Sequence, residues 1–403
     1  MKVVMINSVS GYGSTGSICV DIAMELERQG HECYIAYGQV SRGYHNEFKI
    51  GTKLENHLHN VGSRLLGKQG YFTKNGTKKL IRFLKDYNPD IIHLHNLHGN
   101  YLNLGILFDY LNEVQKPVVW TLHDCWAFTG NCAYYSNINC NKWQKKCNNC
   151  PQIKAYPPSL IFDKTEIMFN DKKKWFESIN NLTIIPVSYW LKSQVENSIL
   201  KGKKIVPIYN WIDHKVFKNN TKDFNFSKID KNKFLVLGVS AGWNKFSNKF
   251  KDFVKLSELL PENMQLILVG KTINGTKIPA NIIHFPYVDS KSELAKLYSI
   301  ADAYVHLSTE DTFGLVIAES MSCGTPVIVY NATACPEIVG SNCGFVVEPR
   351  DIRSVFESLK IIKKNGKSSY SNYCRNYVLD NFDIIKNINL TIEVYKKMIK
   401  NDN

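Results

Sequence analysis

Short apolar strands and amphipathic helices alternate along this chain in two successive runs. That rhythm restricts it to parallel α/β layers, because neighbouring parallel strands need a helical crossover between them. Residues 3–7 read as a buried strand, followed by Gly11-Tyr-Gly-Ser-Thr-Gly16 and an amphipathic helix through Ile22 and Leu26 that Gly30 ends. Further strands are expected at 32–37, 91–95, 117–122 and 184–187. Near Val206-Pro207 the rhythm restarts, with strands at 234–239, 265–269, 282–285, 303–307, 325–329 and 345–347 and a helix over 313–322. The prediction is two successive α/β domains, residues 1–205 and 206–383, with a terminal helix within 384–403.

The 403 residues are 44% apolar and 21% charged, which excludes a disordered or collagen-like chain. No apolar run reaches the roughly 18–20 residues of a spanning helix. The start, Met1-Lys-Val-Val-Met-Ile-Asn-Ser, is too short in apolar length for a secretory leader, so a cytoplasmic location is expected. There the eleven cysteines are expected as thiols or metal ligands.

The net charge is +14, from 50 basic and 36 acidic residues. Such an excess favours polyanions. Only seven of the basic residues are arginines, and none lies between Arg82 and Arg350. Arginine is the usual bidentate reader of guanine edges, so nucleic acid is not the expected partner. Two readings of the lysine excess stay open: a Lys- and Asn-rich genome, or diffuse attraction to an anionic membrane surface, which would make the protein peripheral on the inner face of the plasma membrane.

Gly11-x-Gly13-x-x-Gly16 after a strand matches the dinucleotide fingerprint, but the carboxyl end of the second strand, Tyr34-Ile-Ala-Tyr-Gly38, lacks the acidic ribose partner. A nicotinamide or flavin site is therefore not expected. What remains is a backbone that can approach a ligand at Gly13, with free N–H groups at a helix start, or a tight turn with no ligand.

The most informative stretch runs from Ser308 to Val327. Asp311 stands on the N-cap side of the expected helix, where it can accept a backbone N–H, and the N–H groups of Phe313, Gly314 and Leu315 would meet an anion at the strand ends. Glu319 follows eight residues later, two turns along the same face. A diphosphate at the helix start and a carboxylate about 12 Å beyond match the length of a nucleotide.

Here the chain resembles the family 4 glycosyltransferases of the GT-B architecture, two facing Rossmann-like domains with a C-terminal helix, which implies that the helix within 384–403 packs back on the first domain. Their signature is Glu, seven residues, Glu, then a Gly-Thr-Pro-Val strand; this sequence has Asp311, Glu319 and Cys323-Gly-Thr-Pro-Val327. Val187-Ser-Tyr-Trp-Leu191, Asn210-Trp-Ile-Asp213 and Glu293-Leu-Ala-Lys-Leu-Tyr-Ser-Ile-Ala-Asp302 match further segments in order. The resemblance implies that Glu319 holds ribose hydroxyls, Asp311 contacts the donor sugar, and the backbone of Phe313 to Leu315 meets the phosphates of a nucleoside-diphosphate sugar. It implies transfer with retained anomeric configuration to a saccharide or lipid-linked saccharide, in capsule, O-antigen or exopolysaccharide synthesis.

Expelling a nucleoside diphosphate needs positive charge at the leaving group. No Asp-x-Asp metal motif occurs anywhere, so no cofactor is expected for catalysis. The family's usual Arg-Lys pair is missing from Gly242-Trp-Asn-Lys-Phe-Ser-Asn-Lys249, which leaves Lys245, Lys249 and Lys271 as phosphate partners. The loss keeps a catalytically impaired sugar-nucleotide-binding protein open as an alternative.

Ile91-Ile-His93-Leu-His95-Asn-Leu-His98 and Thr121-Leu-His123-Asp124 place histidines at strand ends. Their spacing is not that of a zinc site on one element. The resemblance puts His123 beside the reacting sugar, and His93 or His95 is expected in the core. Cys132, Cys140, Cys147 and Cys150 fall within nineteen residues, closed by Cys-x-x-Cys, inside an insert of about 125–155. Structural zinc, free thiols and disulfides are all compatible with that spacing. A zinc-ribbon nucleic-acid binder is the remaining alternative, with only Lys142, Lys145 and Lys146 on the ribbon to support it. The insert follows His123-Asp-Cys-Trp-Ala-Phe-Thr-Gly130, a stretch similar to one in polysaccharide-type transferases, near the acceptor side.

Overall fold

The computed structural model describes residues 1–221, 226–286, 288 and 290–401. Residues Met1–Ile208 with Asn387–Asn403 form one compact unit, and Tyr209–Lys386 form a second.

The first unit holds a seven-stranded sheet of β1 (Lys2–Asn7), β2 (Glu32–Tyr37), β3 (Glu47–Lys49), β4 (Ile91–Leu94), β5 (Val118–Leu122), β6 (Leu182–Pro186) and β7 (Lys204–Ile205). All pairings are parallel, in the order β3-β2-β1-β4-β5-β6-β7. Because the sheet is covered on both faces, β4, β5 and β6 are buried at every residue, which is why they read as unbroken apolar runs. Strand order reverses between β1 and β4, and the crevice beyond their carboxyl ends is where open α/β sheets take ligands.

The second unit repeats the plan with β8 (Phe234–Asn244), β9 (Met264–Ile273), β10 (Ile282–Phe285), β11 (Ala303–His306), β12 (Val327–Tyr330) and β13 (Gly344–Val347), again all parallel, in the order β10-β9-β8-β11-β12-β13. Here the order reverses between β8 and β11. β8 and β9 run longer than their sequences suggest. They pass a register shift between Val239 and Gly242 and continue with Gly242 opposite Lys271. The strands expected at 234–239 and 265–269 therefore extend through Asn244 and Ile273, and Lys271 sits on β9 itself. Gly270 makes the crossing possible: its φ is +129°, and a Cβ there would lie 1.8 Å from the Ser240 carbonyl oxygen.

The C-terminal helix, Ile384–Asn401, packs into the first unit. Its buried Tyr395 hydroxyl and the His93 Nδ1 are 2.6 Å apart, and Gln29 donates to Asn389 at 2.7 Å. Residues 402 and 403 of the expected tail lie outside the described residues.

The helix Lys53–Leu66 has its polarity reversed. Its inward residues are Asn56, His59 and Ser63, while Leu54, Leu58, Val61 and Leu65 are 67, 59, 40 and 41% exposed. That spacing of four, three and four is one face of a helix, here turned to solvent. The polar side is held by the first unit: Asn56 donates to the Gly38 carbonyl at 2.7 Å, and the His59 Nδ1 pairs with Thr73 Oγ1 at 2.7 Å. No helix among the described residues is long and apolar enough to cross a membrane.

Candidate active site

In the second unit the turn after β11 carries the carboxylates picked out by sequence. The helix that follows is Leu315–Ser322, and its N-cap is Gly314 with φ +87° and no side-chain cap. Asp311 therefore does not cap it, contrary to the expectation, and Phe313 and Gly314 precede the helix instead of starting it. The physical reason is a better partner. His306, the last residue of β11, meets the Asp311 carboxylate Oδ2 through Nε2 at 2.8 Å, and its Nδ1 lies 3.1 Å from the Tyr304 hydroxyl. Burial works against ionising Asp311, but the charge and hydrogen bond of His306, with Lys249 and Ser308, outweigh it and hold the carboxyl well below the usual range.

Phe313 is buried and wedged against Tyr209 and Phe382, with ring centroids 5.9 and 5.2 Å away. Its side chain anchors the turn, leaving only its backbone for a ligand. Glu319, half-buried on the following helix, accepts a hydrogen bond from the Tyr298 hydroxyl at 3.1 Å. Burial pushes its carboxyl up to about 7, against the Tyr298 bond and the charge of Lys291. Asp311 and Glu319 thus form a pair whose protonation is driven in opposite directions, an arrangement found where carboxylates have chemical work.

Of the three lysines, Lys249 lies in the first turn of the helix Asn248–Leu259, within electrostatic reach of Asp311 and 3.5 Å from the Ser240 hydroxyl. Lys245 is exposed at the end of β8 and reaches toward the turn at Gly275, with its Nζ 3.8 Å from a Cβ placed there. Lys271 is exposed on β9. Of the three, Lys249 is the one with a described interaction with Asp311.

Among the described residues one set of three potential metal-ligand atoms lies within 4.8 Å of one another: those of His306, Asp311 and Cys335. The His306–Asp311 hydrogen bond already pairs two of them. Burial raises the Cys335 thiol well above its ordinary range, so without an ion it stays protonated.

In the first unit, Gly13 opens the helix Gly13–Arg28 with φ +63°, and a Cβ there would meet nothing within 4 Å. The turn is open to a ligand without being shaped around one. His123 follows β5, partly exposed; its Nε2 lies 3.0 Å from Nδ1 of the buried His95, with the rings stacked at 5.3 Å. His93 and His95 are both buried, so the expectation that only one belongs to the core understates it. Burial lowers His123 to about 4 and His93 to about 3, and holds His95 well below the ordinary imidazole value, so all three imidazoles are neutral at pH 7. Beside them His98 Nε2 meets Asp124 Oδ2 at 2.6 Å, and the Trp126 N–H donates to Asp124 Oδ1 at 2.8 Å.

The family described as Glycosyltransferase Family 4 matches residues 15–216, just over half of the 403, and the one described as Glycosyl transferases group 1 matches 218–378. The chain belongs to glycosyltransferase family 4. Its two parallel sheets are those of the GT-B fold. This family 4 glycosyltransferase is 23% identical over 376 residues to the putative colanic acid biosynthesis glycosyl transferase WcaC of Escherichia coli K12, covering 89% of this chain and 90% of the relative. It is 29% identical over 210 residues to the O-antigen chain mannosyltransferase RfbU of Salmonella typhimurium, covering 49% and 56%. Among solved structures, the sucrose-phosphate synthase of Thermosynechococcus elongatus superposes with a TM-score of 0.71 at 14% identity, covering 99% of both chains. The Anabaena protein Alr3699/HepE in complex with UDP gives 0.67 at 15%, covering 98% of this chain and all of that one.

Sequence reasoning missed His306, Tyr304 and Tyr298. The signal for His306 was a histidine ending a strand five residues before an acidic one.

Proposed function

We propose that this glycosyltransferase moves a sugar from a nucleoside diphosphate to a saccharide or lipid-linked saccharide acceptor in surface-polysaccharide or lipopolysaccharide synthesis, retaining anomeric configuration and using no catalytic metal. The observation that carries the reading is the turn after β11. There Asp311 is held ionised by His306, Glu319 is half-buried one short helix away, and Lys249 supplies charge at the strand-order reversal. Glu319 takes the ribose hydroxyls, Asp311 the sugar, and Lys249 with the backbone from Phe313 to Leu315 the departing diphosphate. His123, held neutral and oriented by His95, is assigned as an acceptor for a hydroxyl of the transferred sugar, the role that the family resemblance gives it. The relatives named for colanic acid and O-antigen synthesis, and the neighbours solved with UDP and with UDP-glucose, support the pathway and the donor class.

The acceptor side is membrane-associated in this reading. The solvent-facing leucines of the helix Lys53–Leu66 adjoin Leu160, Ile161 and Phe162, which are 56, 62 and 48% exposed; the Leu160 N–H donates to the Arg64 carbonyl at 2.8 Å. Lys53, Arg64, Lys68 and Lys164 belong to or flank these two segments, the last with its Nζ 5.6 Å from the Phe162 ring. An apolar face rimmed by cations lies in the plane of an anionic bilayer interface.

A thermal-shift panel of UDP-, GDP- and ADP-sugars and single-stranded DNA, followed by NMR of the product's anomeric proton, tests the reading. One nucleotide sugar raises the melting temperature and yields a product of the donor's anomeric configuration. Stabilisation by DNA alone rejects it, stabilisation without transfer leaves the impaired binding protein, and an inverted product rejects retention.

A further inference from the structure

Eleven cysteines fall into two groups. Seven are buried, and the four of the insert, Cys132, Cys140, Cys147 and Cys150, are half-buried and unpaired. All four line a single cavity of about 20 Å³, room for one water-sized guest. We propose that these thiols bind one zinc ion, which organises the insert.

Three features around the cavity fit a thiolate centre. The Gly130 N–H donates to the Cys147 sulfur at 3.2 Å, the kind of outer contact that stabilises a metal-bound thiolate. Gly130 is needed for that approach, since a Cβ there would lie 2.7 Å from both the Cys147 Cβ and the Thr165 carbonyl oxygen. The buried Lys172 Nζ donates to the carbonyls of Trp126 at 2.6 Å and Thr129 at 3.1 Å and lies within electrostatic range of Cys132 and Cys147, a donor beside the negative charge that four thiolates leave around a divalent ion. The set of four sulfurs, with no carboxylate or imidazole lining the same cavity, selects a soft, tetrahedral ion.

No three of these sulfurs lie within 4.8 Å of one another, whereas a tetrahedral zinc-thiolate shell has edges of about 3.8 Å. The ion must draw them inward. The insert permits that, because between η-type turns at Trp126–Phe128, Ser136–Ile138 and Lys142–Gln144 it holds no strand. Each thiol gives its proton to solvent as its sulfur–zinc bond forms, and nothing is oxidised or reduced.

The test is metal analysis of the full-length chain, expressed with zinc and purified under reducing conditions without a metal-binding tag. Roughly one zinc per chain is expected, falling to background in Cys147→Ser/Cys150→Ser, with a lowered melting temperature. A serine variant can misfold for other reasons, so the wild type is also exchanged with cobalt. Thiolate-to-cobalt charge-transfer and tetrahedral ligand-field bands then report the shell directly. A chain without zinc whose four thiols alkylate at the same rate with and without added zinc overturns the proposal. So do two disulfides found by mass spectrometry, or a cobalt spectrum without thiolate bands.

Discussion

The Asp311 carboxylate and the His306 imidazole sit 2.8 Å apart at the end of β11, and this bond takes the place of the helix cap that the sequence suggested. It fixes where the carboxylate points and keeps it ionised. Replacing His306 with Leu should raise the donor KM about tenfold or more, the scale of a lost charge-assisted hydrogen bond, while His306→Gln, which keeps a donor, recovers most of it. Because the Asp311 value in the fold is depressed, its stabilisation is present above the ordinary carboxylate range and lost as pH falls through it. The stability gap between wild type and His306→Leu should accordingly close in acid. A gap unchanged down to acid unfolding would reject the pairing.

Glu319 behaves the opposite way. Its value is raised to about 7, so the fold favours the protonated form. The stability this contributes is complete below the unfolded carboxylate value and is lost as pH rises through about 7. Glu319→Gln should therefore melt above wild type at pH 8, with the difference vanishing near pH 4. Donor affinity should run the other way, since the ionised form is the better acceptor for ribose hydroxyls. Wild-type binding tightens through neutrality, and the Gln variant loses about 10- to 100-fold at pH 8 and much less at pH 5.5. Calorimetric titration of the donor at both pH values decides it.

Lys249 and Lys245 separate by geometry. Lys249 lies within electrostatic reach of Asp311, and Lys245 reaches toward the Gly275 turn. Lys249→Ala should weaken nucleoside-diphosphate binding about tenfold, with a shallower salt dependence than wild type. Lys245→Ala should change it less than twofold. Equal losses in the two variants would show that neither is selectively placed on the phosphates.

Leu54→Glu combined with Leu58→Glu should abolish co-sedimentation with phosphatidylglycerol vesicles and leave transfer to a soluble acceptor analogue intact, because neither side chain supports the core. Pure phosphatidylcholine vesicles should bind wild type weakly. Unaltered sedimentation of the double variant would place any membrane contact elsewhere.

His123→Ala should lower kcat with little change in donor affinity. His95→Phe, which keeps the ring volume but removes the 3.0 Å contact, should reproduce part of that loss. A purely structural role would instead appear as a common fall in melting temperature with kcat unchanged.

The strand–turn–helix after β11 was readable because its residue types are forced. An apolar strand must end, a glycine must take φ +87° at position 314, and a largely apolar helix must pack behind. The partner of Asp311 was not readable, since His306 ends a strand whose other residues are simply buried, and nothing local marks which way an imidazole turns. β8 and β9 outran their apparent ends because Ser240-Ala-Gly242 has the composition of a turn, and only pairing across the register shift keeps it extended. The helix Lys53–Leu66 defeats periodicity in another way. Its apolar stripe is regular, but the fold buries the polar side, and a period carries no sign of which face points inward.

The bond between Tyr395 and His93 joins residues 302 positions apart, and the whole second unit is translated between them. On the ribosome, β4 therefore waits for the helix Ile384–Asn401. A chain cut short just ahead of Tyr395 would leave the His93 Nδ1 on β4 without that partner in a half already long synthesised. Damage from such a lesion would surface as a misassembled amino-terminal half and as proteolysis there, far upstream of the genetic change.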